Sequence, residues 1–276
     1  MTFSIVARVG DAYGVAVASK FLAVGAVVPG ARQGVGAVAT QSFARVAYID
    51  ELLERLAAGD TAETALTTTT AADEGRDERQ LGVVGASSAA TWTGPGCLPW
   101  CGGVARESGA GAYAIQGNIL TGPEVVAEME RAWLASEDAP FARRLLAALA
   151  AGDMAGGDSR GRQSAALYAV QPGADYDSSG VLVDLRVDDH TDPVGEVGRL
   201  LGEWEMVFGH AEHVLPLEGD LAEEVRGRLA RLGHTNEDVS TALADWAGIV
   251  NYESRLSPEG IDTRVLDALR AATAEG

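Results

Sequence analysis

Thr2 is the first residue whose type could do chemistry, because loss of Met1 would leave it with a hydroxyl and a free α-amine. A threonine hydroxyl is a weak nucleophile until a base takes its proton, and an α-amine, which titrates at about pH 8, can be that base. Lys20 is the single lysine beside 20 arginines, and its ammonium would lower the pKa of a neighbouring amine. The pair predicts nucleophilic attack on an amide bond; the alternatives are a lone lysine by chance and a plain edge strand at Thr2.

A predicted hairpin brings these two residues together. Residues 3–9 and 13–19 are short apolar runs separated by Gly-Asp-Ala, a signal for a β-hairpin. With a two-residue loop Thr2 lies opposite Ser19, and with a three-residue loop it lies opposite Lys20. Directly opposed residues have Cβ atoms about 4.5–5.5 Å apart. Either register makes Thr2 and Lys20 neighbours.

A third strand is predicted over residues 35–41, after a turn region around Pro29 and Gly30. If this strand pairs antiparallel with the second one, its start brings Arg32 and Gln33 toward the same end. Arg32 would then help to tune the charge around Thr2.

Further polar clusters offer binding groups. Gln116 and Asn118 end a strand, where their amides could donate hydrogen bonds to an oxyanion or could serve a plain turn. Asp158, Arg160 and Arg162 lie in a glycine-rich loop. Arg162 could hold a substrate carboxylate through two parallel hydrogen bonds, whereas an Arg160–Asp158 surface pair is the simpler interpretation.

Metal chemistry has weaker signals. Asp188, Asp189 and His190 could contribute metal ligands or only turn and cap contacts before a helix. Cys97 and Cys101 lack the second pair that would complete a metal site, so reduced thiols without a role are expected, with a local disulfide as the alternative. We expect no metal and no cofactor.

The elements that must position these residues are antiparallel strands interrupted by helix pairs. This order predicts an α+β fold in which two sheets pack together with helices outside. A linker is predicted over residues 214–219, followed by a small helical domain in which Asn236 is a candidate helix cap. Strands are predicted at residues 80–85, 89–93, 112–116, 164–170 and 181–187, and helices at about 46–59, 61–72, 123–136, 140–151, 193–207, 221–232, 236–249 and 263–271.

The motifs resemble a bacterial and archaeal family known as domain of unknown function 1028, over about residues 2–205. The resemblance implies a four-layer αββα sandwich of the N-terminal-nucleophile hydrolase type over residues 1–213. Residues 214–276 resemble a small peptidoglycan-binding-like domain. Ala18 stands where related proteasome-like subunits usually carry an acidic residue. The stretches that carry the resemblance are Thr2-Phe3-Ser4-Ile5-Val6-Ala7-Arg8, Gly14 to Lys20, Gly34 to Gln41, Arg79-Gln80, Pro99-Trp100, Gln116-Gly117-Asn118, Gly156-Gly157-Asp158, Gly161-Arg162-Gln163-Ser164 and Asp184 to His190, with Leu215-Pro216-Leu217 and Asp245-Trp246-Ala247-Gly248 in the tail.

Composition narrows the function classes. The net charge of −19 over 276 residues argues against nucleic-acid and anionic membrane surfaces. The start of the chain lacks the basic region of a signal peptide, so a cytoplasmic protein is expected. We also expect a homo-oligomer, in particular a dimer. We predict an amidohydrolase acting on a small-molecule amide; the alternative is a non-catalytic scaffold that binds a metabolite or a peptidoglycan fragment. The candidate catalytic residues are Thr2, Lys20 and Asn118, and the candidate substrate-binding residues are Ser19, Arg32, Gln41, Gln116, Asp158 and Arg162.

Overall fold

Long apolar strands form most of the first of two units, residues 1–200 and 201–276. The computed structural model describes residues 2–108, 111–174 and 178–274, so the expected removal of Met1 lies outside it. The strands of the first unit are β1 (Thr2–Val9), β2 (Ala12–Ser19), β3 (Pro29–Arg32), β4 (Gly36–Ser42), β5 (Arg79–Gly85), β6 (Ala89–Thr93), β7 (Gly102–Ser108), β8 (Gly111–Asn118), β9 (Ser164–Val170) and β10 (Val181–Val187). The helices that lie between and after these strands are α1 (Tyr48–Ala57), α2 (Ala62–Ala71), α3 (Glu124–Ala135), α4 (Phe141–Met154) and α5 (Pro193–Phe208).

The predicted hairpin opens a six-stranded sheet with the order β10-β9-β2-β1-β8-β7. Phe3 lies opposite Ala18 and Val9 opposite Ala12, so the loop has two residues and the first of the two expected registers is present. The loop residue Gly10 adopts a φ of 59°, a left-handed conformation that glycine tolerates without steric cost.

The expected pairing of the third strand with β2 is wrong. The second neighbour of β2 is β9, and the chain instead starts a separate four-stranded sheet with the order β3-β4-β5-β6. The region around Pro29, predicted as a turn, is strand β3, which pairs with β4. Because both edges of β2 are already paired, the strand predicted at residues 35–41 has no place beside it.

Apolar side chains between the two sheets hold them together. Val6 and Val17 of the first sheet pack with Ala39 and Val84 of the second in one buried cluster. Both faces of the central strands are covered: α1 and α2 pack on the outer face of the four-stranded sheet, and α3 and α4 pack on that of the six-stranded sheet. Burial on two faces explains why these strands read as nearly continuous apolar runs.

Strand β7 was missed in the sequence because its pattern is weak. It begins with two glycines and ends with the charged residues Arg106 and Glu107 before Ser108. Glycine and charge both lower strand propensity. Among the described strands it forms one edge of its sheet and pairs with β8, so tertiary pairing and not local propensity decides its conformation.

The second unit is small and largely helical. Its elements are the end of α5, strands β11 (Val214–Leu215) and β12 (Ile261–Asp262), and helices α6 (Gly219–Arg231), α7 (Val239–Val250) and α8 (Thr263–Ala272). Two corrections arise. The expected linker begins with β11, which pairs with β12; and Asp238, not Asn236, caps α7 by accepting a hydrogen bond from the Thr241 main-chain N–H.

A buried ion pair ties the second unit together. Arg255 Nη1 lies 3.2 Å from Asp262 Oδ2, and both side chains are 1% exposed. The same guanidinium donates to the main-chain oxygens of Glu205 and His210. Because the charge is both paired and hydrogen-bonded, its burial is tolerated. None of the helices that the structure describes has the length and apolar character required to cross a membrane.

Gly82 of β5 faces the Gln116 side chain of β8 across the gap between the sheets. We expect Gly82→Ala to lower the free energy of unfolding by about 1–3 kcal/mol, because its Cβ would occupy the space of the Gln116 amide. Urea denaturation of purified protein measures the change.

Gly198→Ala is the matched control for this prediction. A Cβ at Gly198, in α5, would meet only Leu146 at an ordinary 3.6 Å. Alanine should there leave stability unchanged or raise it by up to about 1 kcal/mol, because glycine is the poorer helix former. Equal urea midpoints for the two variants would contradict the close approach of Gln116 to Gly82.

Candidate functional site

Thr2 lies at one end of the six-stranded sheet with its hydroxyl against a second hydroxyl. Thr2 Oγ1 is 3.1 Å from Ser19 Oγ, and the two side chains are 5% and 2% exposed. On its other side Thr2 is directly opposite Asn118 of β8. Thr2, Ser19 and Asn118 therefore share the face that the first sheet turns toward the second.

Lys20 contributes to this end through its main chain and its ammonium separately. Its N–H donates to Asp158 Oδ2 at 2.7 Å, and its Nζ donates to the Arg162 carbonyl oxygen at 3.3 Å. Lys20 is the first residue after β2 and, unlike Ser19, is exposed. The ammonium lies against the loop after α4, and its effect on a Thr2 amine remains a prediction.

Amide side chains from both sheets meet behind Thr2. Gln41 Nε2 donates to the Thr2 carbonyl oxygen at 3.2 Å and to Gln80 Oε1 at 2.8 Å. Ser4 Oγ donates to Gln41 Oε1 at 2.8 Å and accepts from Gln116 Nε2 at 2.6 Å. All of these side chains are at most 1% exposed. Together these side chains form a hydrogen-bonded network that joins the two sheets and holds the start of β1. We call this network the amide bridge; its members are Ser4, Gln41, Gln80, Gln116 and Asn118.

Two oxygen atoms of the amide bridge are left over. Asn118 Nδ2 donates to Gln80 Oε1 at 2.9 Å, but Asn118 Oδ1 is buried and has no donor among the described residues. Gln116 Oε1 is in the same position. A buried polar atom without a partner costs about 1–3 kcal/mol and calls for an explanation.

A cavity of about 450 Å³ opens beside Ser19. Its charged lining comes from Asp153 at the end of α4 and from Asp158 and Arg162 in the following loop; Phe3, Thr191 and Pro193 also contribute. The cavity is large enough for a small organic molecule. Thr2 does not itself line this cavity and is connected to it through its contact with Ser19.

The loop carboxylates are already engaged. Asp158 is 7% exposed and binds the Lys20 and Arg160 main-chain N–H groups, so its pairing with Arg160 at 3.4 Å is not a simple surface contact. Arg162 Nε lies 2.8 and 3.0 Å from the two Asp153 oxygens. This hydrogen bond raises the pKa of Arg162. The terminal Nη groups of Arg162 have no acceptor in the described part of the chain.

Arg32 is not part of this site, contrary to expectation. It lies opposite Gly36, at the far end of β4 from Gln41, and pairs with Glu54 at 2.8 Å. The physical reason is the separate sheet: β3 joins β4 in place of β2, which carries Arg32 away from the start of β1.

The Asp- and His-containing segment after β10 makes turn contacts. His190 Nδ1 accepts from the Asp192 N–H at 3.0 Å, and Asp189 accepts from Gln163 at 3.1 Å. Within residues 2–108, 111–174 and 178–274 no group of three His, Cys, Asp or Glu side chains is placed to hold a metal ion. Cys97 and Cys101 are free thiols, and burial raises the pKa of Cys101.

Sequence reasoning missed a cluster of charged and hydroxyl groups beside Gln80. Arg79, directly before it, donates to Asp73 at 2.9 Å, and Tyr48 donates to the same Asp73 oxygen at 2.7 Å. Arg79, and secondly Tyr48, hold the pKa of Asp73 well below its usual range, while burial and then Asp73 raise the pKa of Tyr48 to about 12. The available signal was a pair of glutamines, Gln41 and Gln80, at the ends of apolar strands.

Comparisons with known proteins agree with these motifs. Residues 2–197 match the model of a family of unknown function, DUF1028. Residues 209–269 match the model described as "Putative peptidoglycan binding domain". Among curated proteins, no match is found.

One solved structure is similar over most of its length. It is the crystal structure of protein SPO2555 from Silicibacter pomeroyi, which carries the same DUF1028 family model. The two are 30% identical, with a TM-score of 0.65, and the similarity covers 82% of this chain and 93% of that one. Strands β1 to β10, with the Thr2 hairpin, and the glycine-rich loop all lie within the matched family region, and the chain belongs to the DUF1028 family.

Proposed function

We propose that this protein is an amidohydrolase in which Thr2, made N-terminal by removal of Met1, is the nucleophile. The carrying observation is the position of Thr2: its hydroxyl contacts Ser19, and Ser19 lines a cavity of about 450 Å³. We interpret the paired sheets with helices on their outer faces as the four-layer αββα sandwich of N-terminal-nucleophile hydrolases. That fold makes the start of β1 a reaction centre.

The reaction uses two groups of an N-terminal Thr2, its α-amine and its side-chain hydroxyl. The neutral α-amine takes the hydroxyl proton, and Oγ1 attacks the amide carbonyl carbon of the substrate. The C–N bond then breaks, the departing nitrogen receives the proton, and the acyl group remains on Oγ1 as an ester. Water, deprotonated by the same amine, attacks the ester, releases the carboxylic acid and restores Thr2.

Neighbouring side chains prepare Thr2 for this step. Ser19 Oγ, 3.1 Å from Oγ1, orients the hydroxyl. Gln41 fixes the Thr2 carbonyl group and so the direction of the first peptide unit. Lys20, which follows Ser19 in the chain, adds a positive charge at this end of the sheet, and such a charge favours the neutral form of a nearby amine.

Arg162 gives the proposed substrate a second handle. Asp153 binds Nε and leaves both terminal Nη groups available to the cavity. A carboxylate can accept two parallel hydrogen bonds from such groups. We therefore propose a small amide that also carries a carboxylate, with Arg162 binding that carboxylate and Thr2 attacking the amide.

A second function is carried by the match of residues 209–269 to a peptidoglycan-binding family model. In this alternative the chain binds a metabolite or a peptidoglycan fragment and Thr2 is inert. The near-complete burial of Thr2, at 5% exposure, favours this alternative as long as Met1 is attached. The two functions differ in one chemical respect, which is whether Thr2 forms a covalent adduct.

Acylation of Thr2 by a β-lactone probe tests the catalytic proposal. Intact-protein mass spectrometry should show a chain without Met1 that gains one probe mass, and peptide mapping should place it on Thr2. Thr2→Ser should keep labelling, because it retains the hydroxyl, whereas the equally sized Thr2→Val should lose it.

Ser19→Ala is the informative companion variant. It removes the hydroxyl partner of Thr2 and should slow labelling by about fivefold, in line with about 1 kcal/mol for one hydrogen bond. Retention of Met1 on the labelled protein, or undiminished labelling of Thr2→Val, would reject Thr2 as the nucleophile.

The proposed carboxylate handle has its own test. N-acetylglutamate should slow β-lactone labelling of Thr2 at lower concentration than neutral N-acetylglutamine does. Arg162→Gln should weaken protection by N-acetylglutamate about tenfold or more, since a charge-assisted hydrogen bond contributes about 1.5–3 kcal/mol.

Arg160→Gln controls for loss of a positive charge in the same loop. Arg160 pairs with Asp158 and does not line the cavity, so this variant should keep the protection. Equal loss in the two variants would mean that Arg162 acts only through the general charge of the loop.

A further inference from the structure

We propose that Asn118 is a positioning residue whose side-chain oxygen Oδ1 receives the freed α-amine of Thr2. This inference rests on the proposed function, because it concerns an amine that exists only after Met1 is removed. Asn118 was expected to donate a hydrogen bond to an oxyanion. In this proposal its side chain instead accepts a hydrogen bond from the amine that acts as the base. The directions of the hydrogen bonds in the amide bridge determine which side-chain atom of Asn118 is left without a partner.

Main-chain carbonyl groups fix the orientation of Gln80. Its Nε2 lies 2.7 Å from the Gly117 carbonyl oxygen and 3.4 Å from that of Gly102. A carbonyl oxygen can only accept, so the nitrogen of the Gln80 amide must face these atoms. Gln80 Oε1 consequently faces the opposite way and needs donors.

This orientation in turn fixes Asn118. The two atoms near Gln80 Oε1 are Asn118 Nδ2 at 2.9 Å and Gln41 Nε2 at 2.8 Å. Reversing the Asn118 amide would place two acceptor oxygens in contact. The donor side of Asn118 is therefore committed to Gln80, and its acceptor side is the one that stays unpaired.

Thr2 is the residue placed to use that acceptor. Thr2 and Asn118 are directly opposed in the β1–β8 ladder, which puts their Cβ atoms about 4.5–5.5 Å apart. Both lie on the face between the sheets, where Asn118 is 1% exposed. The residue opposed to Asn118 on β1 is Thr2, so Thr2 is the protein group closest at hand to supply the donor.

Removal of Met1 supplies the missing donor. Hydrolysis of the Met1–Thr2 peptide bond turns a nitrogen with one hydrogen into an amine with two, or an ammonium with three. The added hydrogens require acceptors in a buried space, and Asn118 Oδ1 is a buried oxygen that lacks a donor. Gln116 Oε1, also unpaired, lies two residues earlier in β8, opposite Ser4.

A neutral oxygen suits a base better than a charged one. A hydrogen bond to Asn118 would hold the amine with its lone pair available to the Thr2 hydroxyl. A carboxylate at the same place would stabilise the ammonium, raise the amine pKa and block proton uptake. Among the described residues, the ionisable groups near this end are those of Lys20 after β2, Arg79 on β5, Asp153 at the end of α4, and Asp158, Arg160 and Arg162 in the loop that follows.

The test measures the pKa of the Thr2 α-amine in the mature full-length protein. Competitive acetylation with trace acetic anhydride across a pH series, read by peptide mass spectrometry, gives this value without a substrate. Asn118→Asp should raise the pKa by at least about one unit, because it places a negative charge against the amine. An unchanged pKa would overturn the inference.

Gln116→Glu is the matched control. It introduces the same charge at the other unpaired oxygen, one side-chain step further from Thr2, and should shift the amine pKa by less than half as much. Equal shifts would show that Asn118 has no special contact with the amine, and would also overturn the inference.

A crystal structure of the mature wild-type protein decides the case if either variant fails to fold. The Thr2 nitrogen should lie within about 2.7–3.2 Å of Asn118 Oδ1. A separation beyond about 4 Å refutes the contact. Retention of Met1 would instead refute the proposed function. Thr2-dependent acylation without a contact between the Thr2 nitrogen and Asn118 Oδ1 would refute only the role of Asn118.

Discussion

The amide bridge between the two sheets is the interaction on which the Thr2 end depends. Apolar contacts also join the two sheets, but these contacts have no direction and would tolerate small shifts. Hydrogen bonds have direction, and here main-chain carbonyl oxygens of Thr2 and Gly117 fix which way Gln41 and Gln80 face. The start of β1 is therefore held at a defined position relative to both sheets.

The bridge also explains local features of the strands around it. Gly82 has no side chain because the Gln116 amide occupies that space. Arg79, engaged by Asp73, anchors the beginning of β5 directly beside Gln80. These contacts give the amides little freedom to reorient, which is what positioning of a reactive group requires.

Much of this fold could be predicted from the sequence, because it depends on local patterns. The apolar runs gave β1 and β2, and the short loop limited their register to two choices, of which the structure has the one that pairs Thr2 with Ser19. Sheet membership could not be predicted in this way. Arg32 was misplaced because nothing near it in sequence shows that β9, a strand more than a hundred residues later, occupies the free edge of β2.

The site was only partly predictable, for a related reason. Each amide of the bridge looks ordinary in its own strand, and its meaning arises from partners on other strands. Buried polar networks cost desolvation, and apolar side chains of similar size could fill the same volume without that cost. Leucine or valine at the positions of Gln41, Gln80 and Asn118 could therefore stabilise the fold about as well. What apolar residues could not reproduce is a fixed direction at Thr2, so the bridge is best understood as a device that positions the start of the chain.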